Sequence, residues 1–449
     1  MITDAEKSLA IEAGNNILVR LPNAGIRSIN INGNSTVSLG RFGSFHGKEL
    51  VGQPYGLTYE IVDKQLKVLP PHTVEEVEDT DATNEYINDG EFVQPLTLEE
   101  IQTLKQAGVH ASDIIKKQIE LHANYALKTE YSKEKYKKRK VAKYSKLFTT
   151  IEPTLYNVCN YWFEKDQNRI RQIRVDTLSQ MLNLANIRPG GRYIAVDDAS
   201  GLVVAAILDR LGGDGRLLTI GDTDSPPAYP VMVHMNFKPA EVKRVLATLN
   251  WATADPDHDP LIPPSELPSS EIRSERQKSR LGKRKSINDA LHATRQELFS
   301  GEFDALIVAS EYEPYSVLEA LFPFIAGSAS IVVHSPHMQI LADLQNKLRG
   351  LPQYLFPNIV EGWLRQYQVL PGRTHPMMAT SGSGGYVLHT VKVFDDPEAM
   401  PVMSHRHKVW KKTPVASEQV SEGSQAATRD PSLSEAELDG GGDVLMSTS

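Results

Sequence analysis

The sequence predicts an α/β protein in two parts: a small all-β, barrel-like unit at the N-terminus, then a Rossmann-like, doubly wound domain whose ligand-binding turn is degenerate. Three observations carry that expectation. Residues 15–69 are short apolar runs broken by Pro-Asn and Asn-Gly turns. From about residue 175, buried-type strands alternate with helices of about ten residues, the pattern of βαβ units and a parallel sheet. With 449 residues, 40% hydrophobic and 23% charged, the chain is long enough for two or three cores.

The first part, residues 1–73, begins with Ile17, Leu18, Val19 and Leu21, which run into Pro22-Asn23-Ala24-Gly25. Ile26, Ile29 and Ile31 end at Asn32-Gly33-Asn34, and the stretch through Phe42 and Phe45 is punctuated by Gly40, Gly43 and Gly47. Residues 74–93 carry eight carboxylates and no Lys or Arg, so 74–96 is expected to be a solvated, disordered acidic loop.

Residues 97–174 read as a helical and basic connecting segment. Thr97 with Glu100 three residues on is a capping box opening a helix that lasts to Gly108. A second helix is expected from Ser112, with Ile115, Ile119 and His122 on one face; a histidine there is a boundary residue rather than a ligand. Nine basic residues between Lys128 and Lys146 oppose only Glu130 and Glu134, a local charge of +7, and Tyr131, Tyr136 and Tyr144 are interleaved. Cations beside rings suit a nucleic-acid backbone and its bases. The same run also reads as a solvated helix face or a nuclear-import signal, and the nucleus is the expected location.

In the second part, residues 175–400, strands are expected at Tyr193–Val196, Leu217–Ile220, Ala305–Val308 and Ser330–His334. Residues 252–300 interrupt the alternation with a Pro/Asp-rich half and a basic half, and a disordered, mobile insertion is expected there. The Ser-, Glu- and Gly-rich residues 411–449 are expected to be a disordered tail.

Several classes fall away on composition. The longest aliphatic run, Leu202 to Leu208, is too short to cross a bilayer, residues 1–30 lack a signal-peptide pattern, and no membrane association is expected. A single cysteine, Cys159, excludes an intramolecular disulfide and a cysteine-cluster metal site, and no metal is expected. Its apolar and aromatic neighbours argue for a buried structural thiol.

A doubly wound sheet binds ligands at the carboxyl ends of its strands, beginning with the first βα turn. Here Tyr193-Ile194-Ala195-Val196-Asp197 leads into Asp198-Ala199-Ser200-Gly201-Leu202-Val203. A cofactor-binding turn needs repeated glycines so that backbone can approach the ligand. Only Gly201 is present; Ala199 and Val203 stand at the other two places.

Several stretches in order resemble one family: Gly40-Arg41-Phe42-Gly43-Ser44-Phe45, Gly52-Gln53-Pro54-Tyr55-Gly56, Lys128 through Tyr136, Leu178-Ser179-Gln180-Met181-Leu182 and Asp198 through Leu202. The chain is similar over residues 15–395 to the non-catalytic subunits of the eukaryotic tRNA (adenine-N1)-methyltransferase, which acts at T-loop position 58. The resemblance implies a methyltransferase-type Rossmann domain that kept the fold and lost the chemistry. It implies a heterotetramer of two catalytic and two non-catalytic subunits, tRNA as a further partner, and S-adenosylmethionine in the catalytic partner rather than in this subunit.

The family comparison also names what is missing. Gly221 follows the second strand where an acidic residue would hold the cofactor ribose, although Asp222 is one position along; Ala309 follows a later strand where an Asp would meet the target adenine. With Ala199 and Val203, these positions leave no expected catalytic or cofactor-binding residue. The expected RNA contacts are Lys135, Lys137, Lys138, Arg139, Lys140 and Lys143, then Arg169, Arg171 and Arg174. The alternatives are an active S-adenosylmethionine-dependent RNA methyltransferase with an atypical site, and an RNA-binding factor working alone.

The net charge of −8 does not argue against RNA. Residues 74–93 and 411–449 together carry −12, so the remaining 390 residues carry +4.

Overall fold

The computed structural model describes residues 10–70, 96–107, 109–122, 125, 128–223, 227–258, 274–370 and 373–394. The tail expected at 411–449 and nearly all of the acidic loop expected at 74–96 lie outside the described residues.

The N-terminal part is built from β1 (Asn16–Arg20), β2 (Ile26–Asn30), β3 (Thr36–Ser38), β4 (Ser44–His46), β5 (Thr58–Val62) and β6 (Gln65–Leu69). Asp63 and Lys64 both take positive φ, 48° and 65°, in the two-residue turn between β5 and β6, matching the twist of a tight hairpin. The helices α1 (Leu98–Gln106), α2 (Ala111–Glu120) and α3 (Glu130–Tyr144) follow, and then β7 (Leu147–Ile151) returns to the sheet.

The five long strands pair antiparallel in the order β2-β1-β7-β5-β6. This is an open sheet with β2 and β6 at its edges, not the barrel-like closure expected from the turns. Nor is it confined to residues 1–73, because its central strand comes from the segment expected only to connect. The burial pattern of β7 explains its place: Phe148 is buried and stacks on Phe45 at 5.0 Å and Tyr59 at 5.5 Å.

The helices form a small core of Ile101, Ile114, Ile115 and Tyr144. The capping box is formed: Thr97 N donates to Glu100 Oε2 at 2.8 Å, and Glu100 N to Thr97 Oγ1 at 3.3 Å. Helix α2 begins one residue before the expected Ser112, capped by His110, and ends before His122. His110 also ties the helices to the sheet through a 2.6 Å contact with Glu60 on β5.

The second part holds α4 (Leu155–Asp166), α5 (Val175–Leu184), β8 (Arg192–Asp197), α6 (Leu202–Leu211), β9 (Arg216–Gly221), α7 (Pro239–Val245), β10 (Leu246–Asn250), α8 (Trp251–Ala254), α9 (Glu275–Ser300), β11 (Phe303–Ala309), α10 (Pro314–Leu321), β12 (Ile325–Ser335), α11 (Met338–Arg349), β13 (Tyr354–Glu361), β14 (Tyr367–Leu370), β15 (Arg373–Pro376) and β16 (Tyr386–Lys392). Seven strands form one sheet in the order β10-β9-β8-β11-β12-β16-β13. The first five are parallel, and β16 runs antiparallel between β12 and β13.

Two apolar cores cover the faces of this sheet. One gathers α4, α5 and α6 with Tyr193, Ala195, Leu217 and Ile307; the other gathers α10 and α11 with Ile194, Val196, Leu306 and Val308. Alternate residues of β8 and β11 therefore serve opposite layers, as the period of two requires. Cys159 is fully buried in the first core, and burial, then the charge of Asp176, pushes its thiol up to about 12.

The insertion expected to be mobile over 252–300 is corrected in its second half. Residues 275–300 form the 26-residue helix α9, anchored by the bidentate pair of Arg216 with Glu297 at 2.8–2.9 Å and by buried Leu298. Residues 259–273 lie outside the described residues.

Candidate functional site

In the seven-stranded sheet the order of connection reverses between β8 and β11, so the ligand crevice of such a fold lies at the carboxyl ends of those two strands. The first βα turn is tightly laced there. Asp197 is enclosed, its carboxylate accepting from Ala199 N at 2.7 Å and Val204 N at 2.9 Å. Burial pushes this carboxyl up to about 6, against those backbone donors and with the charge of Asp198 adding to the rise. Asp198 N donates to Ala309 O at 3.0 Å, and Asp198 Oδ2 accepts from Glu311 N at 2.9 Å. Turn and strand end are thus stitched together.

Ala199, Val203 and Ala309 are fully buried parts of the core. Gly201 has a φ of +82°, which favours glycine, and a Cβ there would stand 2.4 Å from Tyr229 Cβ. The Tyr229 side chain therefore occupies the space a Cβ of residue 201 would need, against the glycine backbone, where a ligand would have to approach. Burial pushes its phenol up, against the opposing influence of the nearby Thr219 side chain on β9. Gly221 ends β9 half-buried and Asp222 is exposed. Sequence reasoning missed Tyr229, whose only signal was an aromatic held between Pro227 and Pro230.

The predicted RNA contacts divide. On α3, Lys135, Lys137, Lys138, Arg139 and Lys143 are exposed. At 3.6 residues per turn, Lys135, Lys138, Arg139 and Lys143 share an arc of about 140°. Lys140 is half-buried, its ammonium 5.0 Å from the Tyr136 ring centre, and burial lowers its pKa. The rings expected to stack on bases are not offered: Tyr136 packs edge-on to His122 at 5.2 Å, and Tyr144 is buried and accepts a hydrogen bond from Gln118. The Tyr131 side chain lies outside the described residues.

Arg169 is exposed, but Arg171 and Arg174 are structural, which corrects their expected role. Arg171 is largely enclosed and pairs with Glu311 at 3.2 Å. Arg174 is buried and forks onto Asp176, Nε to Oδ1 at 2.7 Å and Nη2 to Oδ2 at 2.8 Å. Nη2 also donates to Gly362 O and Nη1 to Ser381 O, both at 3.1 Å. Those two carbonyls flank the excursion carrying β14 and β15, so one guanidinium fastens both legs of that hairpin.

Along β13 and this hairpin, Leu355, Phe356, Trp363, Tyr367, Val369 and Met378 are exposed. So much apolar surface on an edge strand and its neighbour marks an interaction face. Among the described residues no cluster of His, Cys, Asp and Glu could hold a metal ion, and no helix is long and apolar enough to cross a membrane.

The sheet order and the turn after β8 define the class: a methyltransferase-type Rossmann domain. An S-adenosylmethionine-dependent O-methyltransferase from Thermotoga maritima shares this fold at a TM-score of 0.50 and 10% identity, over 89% of this chain and 100% of that one. The side chains around the turn do not fit the cofactor of that fold, since Tyr229 covers Gly201 and Gly221 offers no side chain to a ribose.

The chain belongs to the Gcd10p family, whose model matches residues 10–280. The tRNA (adenine(58)-N(1))-methyltransferase non-catalytic subunit of Debaryomyces hansenii is 30% identical, over 87% of this chain and 88% of that one. The protein of the same name in Schizosaccharomyces pombe is also 30% identical, over 85% and 92%. Its mouse counterpart is 27% identical, over 78% and 82%.

Proposed function

We infer that this chain is the non-catalytic subunit of a tRNA (adenine(58)-N(1))-methyltransferase. It transfers no methyl group; it pairs with a catalytic methyltransferase chain and helps hold the tRNA while that chain, which carries the S-adenosylmethionine, does the chemistry. The observation that carries this reading is the sealed βα turn, with Tyr229 against Gly201 and with Ala199, Val203 and Ala309 inside the core.

Loss of the site does not remove the fold's other uses. The T-loop adenosine has to leave a structured RNA before a pocket can take it, which costs a few kcal/mol. Phosphate contacts spread over two chains offset that cost. Lys135, Lys137, Lys138, Arg139 and Lys143 on α3, with Arg169, are the cations we assign to this task. The exposed apolar residues of β13 and the β14–β15 hairpin supply the face for the catalytic chain, in a heterotetramer of two and two. The same run on α3 serves nuclear import, and the assembly works in the nucleus.

The test is to express each chain alone and both together, then assay methylation of a tRNA transcript and titrate S-adenosylmethionine by calorimetry. Methylation is expected only from the pair, and no cofactor heat from this chain alone. Stoichiometric cofactor binding by this chain would sink the reading.

A further inference from the structure

The cations of α9 have no part in the reading above. From Glu275 to Ala290 every described side chain is exposed except Leu281 and Asn288, which are half-buried. This half holds Arg276, Lys278, Arg280, Lys283, Arg284 and Lys285 against Glu275 and Asp289. At 100° per residue, Arg276, Arg280, Lys283 and Arg284 fall within an arc of about 100°, and Lys278 and Lys285 lie opposite.

The far end of the helix is fixed. Glu297 takes the Arg216 fork at the amino end of β9, and Arg192 Nη1 donates to Gly301 O at 2.9 Å at the amino end of β8. Arg295 Nε donates to Thr253 O at 2.9 Å and its Nη2 to Asp255 O at 2.7 Å. As the crossover between parallel β10 and β11, α9 runs antiparallel to the strands. It is about 39 Å long, whereas the six-residue β9 spans about 20 Å. Anchored at the amino edge, its first ten or so residues therefore overshoot the carboxyl edge, the side of the crevice beside β8 and β11.

We propose that the exposed half of α9 is a second RNA-binding arm, which meets tRNA phosphates through Arg276, Arg280, Lys283 and Arg284. The chemistry selects a polyanion over a protein partner, because this half presents no aromatic side chain and its one fully exposed large apolar residue is Ile287. Its cations repel one another at i, i+4 spacing, and Gly282 weakens the helix at its middle. Neutralisation by phosphates relieves that repulsion, so bound RNA should add helix rather than distort it.

This proposal rests on the tRNA-binding reading, and the experiment separates the two. The full chain, co-purified with its catalytic partner, is titrated with a tRNA transcript between about 50 and 200 mM salt, where each phosphate contact adds about 0.7–0.9 to the slope of log affinity against log salt. Replacing Arg276, Arg280, Lys283 and Arg284 together with Gln is expected to lower that slope by about three to four units. Lys278→Gln with Lys285→Gln, on the other side, should leave it within about one unit. The single Arg280→Gln exchange, harmless to folding at an exposed site, should lower the slope by about 0.7–0.9.

An unchanged slope and affinity in the quadruple variant, with wild-type binding intact, overturns the arm and leaves the functional reading standing. Unchanged tRNA binding with loss of the co-purified partner overturns it in favour of a protein-docking helix. A wild-type assembly that fails to bind tRNA overturns both.

Discussion

Arg174→Ala separates a structural arginine from an RNA-binding one. The substitution strands the Asp176 carboxylate, which is mostly enclosed, and frees the carbonyls of Gly362 and Ser381. Breaking one side of a buried pair costs about 3–5 kcal/mol. For a domain of about 200 residues each kcal/mol moves the melting temperature by about 2–4 °C, so a fall of about 6–20 °C is expected. Arg174→Lys keeps the charge but not the fork, and should recover only part of that loss. The carboxyl of Asp176 is raised by burial but held net below its ordinary value by the hydrogen bonds and charge of Arg174. A depressed carboxyl stabilises the fold above its unfolded pKa and loses that contribution as pH falls, so the gap between wild type and variant should narrow in acid. Thermal unfolding at two pH values and tRNA titration well below the melting temperature are the assays. A variant that melts like wild type but binds tRNA with a flatter salt slope would refute the assignment.

Three further outcomes are expected. Among the described residues both ring nitrogens of buried His334 lack a hydrogen-bond partner, and burial, then Arg171, pushes the ring down to about 3 despite the nearby Gly384 backbone. A lowered histidine loses stability as pH falls below its unfolded value of about 6.5, by about 2 kcal/mol between pH 7 and 5; unfolding of His334→Leu should lack that share, and equal pH slopes in the two proteins would reject it. Gly201→Ala meets both a left-handed backbone and Tyr229, so it should destabilise clearly more than the ~1 kcal/mol of backbone strain; adding Tyr229→Ala should return a coupling energy of about 1 kcal/mol or more, and simple additivity would mean the two do not touch. Alanine at Lys137, Lys138, Arg139 and Lys140 should weaken tRNA binding and lower its salt slope by about two or more; full affinity with failed nuclear import would assign the run to import alone.

What was legible in the sequence was local. The βα alternation and the capping box at Thr97 both rest on near neighbours, and each appears in the structure where it was read. Strand β7 was missed because its partners β1 and β5 lie more than 80 residues upstream, and nothing within Leu147–Ile151 says so. Helix α9 was missed because its first half is polar all round and holds Gly282, so no apolar stripe betrays it. Arg171 and Arg174 were misread because a cation's sequence context does not reveal the carboxylate it will pair with in the fold. Asp176 is two residues from Arg174, but Glu311 is far from Arg171 in the chain. Tyr229 filled the turn from a loop beyond the next strand, a contact no spacing rule contains.

Both sheets are completed in their interior by a strand that the ribosome delivers late. β7 slides between β1 and β5 after three helices have been made, and β16 slides between β12 and β13 after the hairpin. Until each arrives, the two strands that will flank it have unpaired edges, the kind of surface that invites edge-to-edge association. A stop codon between Glu361 and Tyr386 therefore does more than shorten the protein: it leaves a gap between β12 and β13, with β13 unpaired.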